Sequence, residues 1–194
     1  MKERRRIDWD SPVGRLTALE PTMDEVREHA AILADGYNEP RNAELMGHTA
    51  RIEPDEVVDH YADMFSEDAR PFLLLRDGEL VGDGDLRGFD NGAAEFAFMI
   101  GAPNVQGKGL GTRFALMLAA FGFREAGLRV IYASVVPQNT ASRRVFEKLG
   151  YLVDGSERAR SYADEPDDIV LSIDRETFEH ANAAMIAELE ISAR

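Results

Sequence analysis

A glycine-rich stretch at residues 106–112, with the sequence QGKGLGT, is the feature that most constrains what this chain can fold into. It follows an apolar run at 93–100 and opens an amphipathic segment at 110–123. Gly107, Gly109 and Gly111 let the backbone approach an anion without a Cβ in the way, and the first amides of a helix point outward unpaired. The stretch therefore predicts a diphosphate site at the start of a helix. A glycine-rich turn without a ligand is the alternative interpretation.

Two other phosphate-binding motifs do not fit this stretch. A P-loop has four residues between its first glycine and the Gly-Lys pair, whereas five residues separate Gly101 from Gly107, and Gly109 follows Lys108 where a P-loop has serine or threonine. A dinucleotide fingerprint needs an acidic residue on the next strand, but the segment 130–136 contains none. The same absence weakens a nucleotide-binding methyltransferase, which stays open as an alternative.

A second segment, VIYASVVPQNTASRRVFEKLGY at residues 130–151, runs from a β-branched strand pattern into Asn-x-x-Ser-x-x-x-Phe-Glu-Lys-Leu-Gly. Together with Gln-x-x-Gly-x-Gly at 106–111, it resembles the acyl-CoA-binding motifs of the GNAT superfamily of N-acetyltransferases. Arg15-Leu16, the hairpin at 76–82 and Ala94-Glu95 look most like the Rim-type branch, which contains the ribosomal-protein N-terminal acetyltransferases. The resemblance covers roughly residues 14–173. It implies an α/β (α+β) fold, a single domain with a mixed, mostly antiparallel sheet flanked by helices.

The resemblance also implies an activity, the direct transfer of an acetyl group from acetyl-CoA to a primary amine. The acceptor is expected to be a protein N-terminus or a small cationic amine, such as an aminoglycoside or a polyamine. The backbone of Met99 and Ile100 is expected to pair with pantetheine amides like an added strand, and no metal is expected. The residues expected to bind acetyl-CoA are Met99, Ile100, Gln106, Gly107, Lys108, Gly109, Leu110, Gly111, Thr112, Asn139, Ser142 and Phe146. Lys108, Arg113, Arg143 and Arg144 could face its phosphates, although exposed arginines usually meet only water.

Glu95 is the one charged residue within the apolar run at 93–100, on the strand face that it shares with Ala97 and Met99. It lies eleven residues before Gln106, the spacing at which histone-acetylating GNAT members carry their general base. Burial beside apolar groups would raise its pKa toward neutrality and improve it as a base. We therefore predict Glu95 as the catalytic base, with a carboxylate paired to a neighbouring arginine as the alternative.

The family's usual proton donor to the departing thiolate is a tyrosine, but Phe146 occupies that position. Ser142 is the predicted substitute, and an ordinary first-turn serine is the alternative. Asn139 is expected to contact pantetheine or order a water, and it could also cap the helix that follows. The missing tyrosine keeps open a catalytically silent acyl-CoA-binding or interaction module. His48 could line the acceptor pocket, although a surface histidine is the simpler interpretation.

Composition limits the partners and the chemistry. With 36 acidic and 22 basic residues, a net charge of −14 argues against nucleic acid and anionic membranes and suits cationic substrates better. The absence of cysteine excludes an acyl-cysteine intermediate, so the transfer must be direct. No apolar run is long enough to span a membrane, and the charged N-terminus does not resemble a signal peptide. We therefore predict a cytoplasmic protein.

Three parts of the chain are predicted: a loosely held arm at 1–13, the acetyltransferase domain at 14–174, and a helix at 175–194 that packs on the domain or at a dimer interface. The apolar residues Phe178, Met185, Ile186 and Leu189 of that helix need cover, so a homodimer is also predicted. Within the domain, strands are expected at 16–19, 72–75, 80–86, 93–100, 130–136, 152–157 and 169–173, and helices at 23–34, 54–65, 110–123 and 139–149.

Overall fold

The computed structural model describes residues 3–46, 50–101 and 106–194. Strands precede and follow the helices along these ranges. In chain order the elements are β1 (Arg5–Ser11), β2 (Gly14–Leu19), α1 (Met23–Tyr37), α2 (Pro40–Leu45), α3 (Pro54–Ser66), β3 (Arg70–Arg76), β4 (Glu79–Asp90), β5 (Ala93–Ile100), α4 (Leu110–Arg124), β6 (Val130–Val135), α5 (Thr140–Lys148), β7 (Leu152–Val153), α6 (Glu157–Arg160), β8 (Ile169–Asp174), α7 (Arg175–Ile186) and β9 (Glu190–Ala193).

All the strands form one sheet in the order β7-β8-β6-β5-β4-β3-β2-β1-β9. The hairpins on either side of β4 turn at Asp77-Gly78 and Asn91-Gly92, and all four residues have positive φ, which is why these residue types occur there. Among the strands of the described ranges, only β5 and β6 are parallel neighbours, because α4 carries the chain across the sheet between them. The mixed, mostly antiparallel sheet expected from the sequence is confirmed.

Helices cover both faces of the sheet. On one face α4 lies centrally with α5 and α7, and its residues 114–121 are all buried against the strands. On the other face α1 and α3 pack together over β3 through residues such as Leu33, Tyr61 and Leu73. No helix in the described ranges is long and apolar enough to cross a membrane.

The N-terminal segment differs from the loosely held arm expected at residues 1–13. Residues 5–11 form β1, which lies inside the sheet between β2 and β9. Ile7 and Trp9 are buried, and the Trp9 indole donates a hydrogen bond to Glu188 Oε2 at 2.8 Å. Because the segment has many charged residues, its strand pattern, with Ile7 and Trp9 buried at alternate positions, was not recognised in the sequence.

The C-terminal segment also differs in part from the expected helix. The helix α7 ends at Ile186, and the chain then adds β9 beside β1. Phe178 and Ile186 are buried in the core under α4, and Met185 and Leu189 pack against it. The apolar face of α7 is therefore covered within the chain, and the homodimer, which rested on that face needing cover, stays a prediction without this support.

Candidate active site

A cleft opens where the parallel strands β5 and β6 part. They pair over three positions, from Ala93 with Val130 to Glu95 with Tyr132. Beyond these positions β5 continues beside β4 and β6 beside β8. Because α4 follows β5 and α5 follows β6, both helices begin at the open end of this cleft.

The free edge of β5 presents the backbone of alternate residues to the cleft. The carbonyl oxygens of Ala97 and Met99 point at β4, since an ideal Cβ on the facing glycines, Gly84 and Gly82, would lie 2.7 and 2.3 Å from them. The intervening residues, Phe98 and Ile100, therefore turn their amides to the cleft. This geometry agrees with the expected pantetheine pairing for Ile100 but not for Met99, whose side chain lines the adjoining cavity instead.

The glycine-rich loop can accept an anion at the start of α4. Gly107 and Gly109 have φ of 73° and 76°, and Gly109 is the N-cap residue. No side chain of the described residues caps the helix, so the first-turn amides of Leu110 to Thr112 are left for a ligand. These features fit the diphosphate of acetyl-CoA.

Two residues of the loop have structural roles that the sequence did not predict. An ideal Cβ on Gly111 would lie 3.1 Å from the Phe98 ring and 3.4 Å from Val145, so this glycine lets α4 pack closely on β5 and α5. The Gln106 amide donates to Asn42 Oδ1 at 3.1 Å and to the Ile100 carbonyl at 3.0 Å. The side chain of Gln106 therefore ties the loop to the end of β5 and to α2.

The basic residues near the loop are only partly available to phosphates. Lys108 and Arg144 are exposed. The Arg113 guanidinium donates to the Gly109 carbonyl at 3.2 Å and lies over the Trp9 ring, and Arg143 pairs with Glu147 at 3.2 Å. Lys108 and Arg144 are thus the better candidates to meet the phosphates of CoA.

The start of α5 forms the other side of the cleft. Asn139 Oδ1 accepts a hydrogen bond from the Ser142 amide at 3.0 Å, which establishes the helix cap considered for this residue. Both side chains line the cavity beside the cleft. Phe146 is buried and packs edge-on against Phe96 and Phe98. Its ring gives the cleft an apolar wall and cannot donate a proton.

A cavity of about 560 Å³ joins this cleft to the face of the sheet covered by α1 and α3. Its lining is strongly acidic: the carboxylates that line it are Glu56, Asp83, Asp85, Asp164, Glu165 and Asp168. No group of three or more acidic or histidine side chains in the described ranges is arranged to hold a metal ion. His48, which was considered for this pocket, lies outside the described residues.

Asp83 on β4 is held by two phenols. The hydroxyls of Tyr37 and Tyr61 donate to its Oδ2 at 2.5 and 2.7 Å, while its Oδ1 is buried without a hydrogen-bond partner among the described residues. Only 4% of Asp83 is exposed. Burial raises its pKa to about 6, although both hydroxyls favour the charged form and act in the opposite direction.

Asp85 lies two residues further along β4, on the same face. Its Oδ1 is also buried without a hydrogen-bond partner in the described part of the chain, and it lies 3.8 Å from Arg87 Nε. The pKa of Asp85 is raised to about 7, chiefly by burial. Arg87 lowers this pKa, and the charges of Asp83, Glu95 and Asp164 contribute to raising it.

Glu95 faces Arg87 across the β4–β5 pair. The guanidinium donates to both carboxylate oxygens, at 3.1 Å from Nε to Oε2 and 3.3 Å from Nη2 to Oε1. Glu95 is 8% exposed, and burial raises its pKa while Arg87 lowers it. Its side chain is not among those that line the cavity. This geometry matches the alternative considered for Glu95, an arginine-paired carboxylate, and its role as base stays a prediction.

Apart from Glu56 on α3, the remaining acidic residues of the cavity belong to residues 164–168, named here the acidic segment. Ser134 on β6 fixes it, because its hydroxyl donates to Asp168 Oδ2 at 2.7 Å and accepts from the Asp164 amide at 3.1 Å. Asp164 also lies 3.7 Å from Arg87 Nη2. The acidic segment therefore forms a second wall of negative charge beside the one on β4.

Sequence reasoning missed Asp83 and Asp85, although a signal for them was present. The segment 82–87, GDGDLR, places two acids on alternate positions of a strand between two hairpin turns. A charge inside a strand needs a reason, and that argument was applied to Glu95 alone. The tyrosines from α1 and α3 could not have been assigned to Asp83, because they come from distant parts of the chain.

Comparisons with known proteins agree with this geometry. Residues 19–152 match the family model for the acetyltransferase (GNAT) domain. Spermidine N(1)-acetyltransferase of Escherichia coli K12 is 29% identical over 135 residues, which are 69% of this chain and 67% of that protein.

Two solved structures share the fold. Aminoglycoside acetyltransferase AAC(6')-Ib in complex with coenzyme A superposes with a TM-score of 0.70 at 21% identity, covering 85% of this chain and 98% of that one. Mycobacterium smegmatis RimJ in complex with CoA-disulfide has a TM-score of 0.66 at 19% identity, covering 95% and 96%. The family match spans more than half of the chain and contains the cleft and the glycine-rich loop. This chain therefore belongs to the GNAT family of acetyl-CoA-dependent N-acetyltransferases.

Proposed function

We propose that the acceptor is a small molecule that carries several amino groups, and that the acidic cavity binds its positive charges while one amine is acetylated. The observation that carries this proposal is that six carboxylates line a cavity that also reaches the start of α5 and the free edge of β5. Arg87, the one arginine among the described lining residues, is already paired with Glu95. The cavity thus has a large excess of negative charge at neutral pH.

Two walls of charge favour a polycation over a single amine. Asp83 and Asp85 lie on β4, and Asp164, Glu165 and Asp168 lie on the acidic segment beside it. A hydrogen bond to a charged group contributes about 1.5–3 kcal/mol. A second ammonium bound by the acidic segment should therefore improve kcat/KM by about tenfold or more.

The transfer itself needs no covalent intermediate, since the chain has no cysteine. We propose that the cleft between β5 and β6 holds the pantetheine, that the amides at the start of α4 hold the diphosphate, and that Ser142 donates a proton toward the departing thiolate. Acetyl-CoA supplies the acetyl group as a reactive thioester. The residues of the chain orient it and shape the path by which the amine approaches.

The finer assignment to the Rim-type branch would make the acceptor a protein N-terminal amine. RimJ supports the fold only, at 19% identity. E. coli spermidine N(1)-acetyltransferase, whose name gives a polyamine as its substrate, agrees better with the charge of the cavity. We therefore place a polyamine or an aminoglycoside ahead of a protein N-terminus and propose a cytoplasmic setting for the reaction.

The test is release of CoA thiol with three acceptors of increasing charge, butylamine, 1,4-diaminobutane and spermidine, together with an aminoglycoside and N-terminal peptides of neutral and basic sequence. We expect kcat/KM to rise about tenfold with each added charge along the first three. Equal kcat/KM for butylamine and spermidine would contradict the proposal, and a marked preference for peptides would return the protein to the Rim-type assignment. Acetyl-CoA binding without turnover on any acceptor would indicate the silent module.

Variants of the acidic segment sharpen this test. Asp164→Asn combined with Glu165→Gln should raise the KM for spermidine and leave the KM for butylamine nearly the same. Asp167→Asn is the matched control, because Asp167 is an exposed carboxylate of the same segment that does not line the cavity. An equal effect of the control and the double variant would show that only the net charge of the surface matters.

A further inference from the structure

We propose that Asp85 is the proton acceptor for the substrate ammonium. Asp83, whose carboxylate is held by Tyr37 and Tyr61, is a positioning residue that acts through Asp85. This inference rests on the proposed function, since it assigns a role within the same cavity. The buried carboxylates differ in whether they line the cavity and in how their oxygen atoms are paired.

Only a carboxylate that reaches the acceptor can take its proton. Asp85 lines the cavity together with Phe98, Asn139 and Ser142, which border the cofactor cleft, whereas Glu95 does not line it. Both oxygens of Glu95 accept hydrogen bonds from Arg87. Asp85 Oδ1 is closed to solvent and lies 3.8 Å from Arg87 Nε, so Asp85 must meet a ligand in the cavity through its other carboxylate oxygen. An ammonium N–H would supply a hydrogen bond to this largely buried carboxylate.

The two aspartates of β4 are not equivalent. Asp83 already accepts two phenolic hydrogen bonds on one oxygen, which fixes its side chain and favours its charged form. Its charge lies beside Asp85 and, after burial and with the other neighbouring acids, contributes to raising the pKa of Asp85 to about 7. A base whose pKa lies near the working pH is both ionised and strong enough to accept a proton. Asp85 therefore has the properties of the base, and Asp83 helps to set them.

The charged and titratable groups that face Asp85 come from several elements. They are Asp83 and Arg87 on β4, Glu95 on β5, Asp164 on the acidic segment, and the phenols of Tyr37 on α1 and Tyr61 on α3, with His60 of α3 lining the same cavity. Arg87 lowers the pKa of Asp85, while Asp83, Glu95 and Asp164 raise it. Neutralising one of the acids should therefore lower this pKa.

The proton and the electrons balance in the following step. One proton of the ammonium moves to the Asp85 carboxylate, and the nitrogen lone pair attacks the thioester carbonyl carbon. The C–S bond breaks and its electron pair stays on sulfur. A second proton leaves the nitrogen and reaches the thiolate, directly or through the Ser142 hydroxyl, and the third stays on the new amide. Asp85 then releases its proton to water. For a lysine-like amine with a pKa of about 10.4, deprotonation at pH 7 costs about 4.6 kcal/mol, so a base is needed.

The experiment compares kcat/KM for spermidine, acetyl-CoA affinity by calorimetry and folding for wild type and four variants. Asp85→Asn should lower turnover about 10²- to 10⁴-fold with acetyl-CoA affinity unchanged. Glu95→Gln should lower turnover by no more than about tenfold, because it disturbs only the position of Arg87. Glu20→Gln is the control, since Glu20 is a buried, arginine-paired carboxylate outside the cavity, and its activity per folded molecule should match wild type.

The pH dependence of kcat/KM distinguishes a role in proton transfer from a purely structural role, which would leave that dependence unchanged. In wild type, kcat/KM should fall below about pH 7 as Asp85 takes up a proton. Asp83→Asn should shift this acid limb to lower pH by roughly half a unit to one unit, because it removes a neighbouring negative charge. Asp85→Asn should abolish the limb in whatever activity remains.

Two results would overturn the inference. One is wild-type turnover in Asp85→Asn together with a large loss in Glu95→Gln, which would assign the base to Glu95. The other is an acid limb that Asp83→Asn leaves in place. Absence of turnover by wild type on every amine would instead contradict the proposed function, so the two failures are distinguishable.

Discussion

The two halves of the site hold their ligands by different means. The cofactor half, formed by the free edge of β5, the glycine-rich loop and the start of α4, offers backbone amides. The acceptor half, formed by β4, the acidic segment and the tyrosines of α1 and α3, offers charged side chains, buried on β4 and largely exposed on the acidic segment. Backbone amides bind a ligand common to a whole family, whereas side chains can be replaced one by one. In the function proposed above, the cofactor half is therefore the part shared with the family, and the acceptor half selects the substrate.

Mutations in the two halves should also differ in their effect on stability, and the largest change in the free energy of unfolding is expected in the acceptor half. Arg87→Leu leaves Glu95 buried without its only arginine partner in the described ranges and removes the neutralising charge beside Asp85. Breaking a buried ion pair in this way costs about 3–5 kcal/mol. Urea unfolding at pH 8 should show this loss in the free energy of unfolding. Arg15→Leu, at an exposed arginine with only distant partners, is the control and should change it by about 0.5 kcal/mol at most. A loss below about 1 kcal/mol for Arg87→Leu would mean that the acceptor half is more hydrated than its burial indicates.

A smaller effect, of opposite sign, is expected for Asp85→Asn. The folded protein raises the pKa of Asp85 from 3.8 to about 7, so it holds a proton that the unfolded chain releases. The stability that this group contributes is fully present below about pH 4 and is lost as the pH rises to about 7. Asn does not titrate, so the variant should be more stable than wild type at pH 8, by an amount on the order of 2–4 kcal/mol, and similar near pH 4. Melting temperatures measured across this range check the prediction, and a variant that is less stable at every pH would refute it.

The smallest stability effect is expected in the cofactor half, where binding should change instead. Gly107 and Gly127 have φ of 73° and 71°, and an added Cβ would meet no atom of the described residues within 4 Å at either position. Gly107→Ala and Gly127→Ala should therefore each cost about 1–2 kcal/mol through backbone strain. Only Gly107→Ala should weaken acetyl-CoA binding, by about tenfold, because only Gly107 lies in the proposed phosphate loop. Equal affinities for the two variants by calorimetry would remove the loop from the cofactor site.

The sequence predicted the cofactor half better than the acceptor half. The cofactor half lies in two short segments, 106–112 and 130–151, whose residue spacing is set by one strand, one loop and one helix each. Local rules therefore predicted the start of α4 and the cap formed by Asn139, and the resemblance to the GNAT superfamily added the pantetheine pairing. The structural roles of Gly111 and Gln106 could not be predicted in this way, because their contacts include Phe98 and Asn42, which lie outside these two segments.

The acceptor half was much less accessible to such rules. Tyr37 and Tyr61 meet Asp83 across 46 and 22 residues of chain, and the acidic segment reaches Arg87 from 77 residues away. No local pattern connects these positions. The same holds for β1 and β9, whose pairing joins the two ends of the chain. Glu95 was singled out by its place in an apolar strand, but the arginine that pairs with it became visible only through the register of β4 and β5.

The most direct test of the central claim, that an acidic cavity beside the cofactor cleft selects a polycationic acceptor, is the salt dependence of kcat/KM for spermidine and butylamine. Raising the ionic strength from about 0.05 M to about 0.5 M shortens the screening length from about 14 Å to about 4 Å. We predict a steep fall for spermidine and a shallow one for butylamine, with acetyl-CoA saturating throughout. The same salt dependence for both amines would contradict the claim.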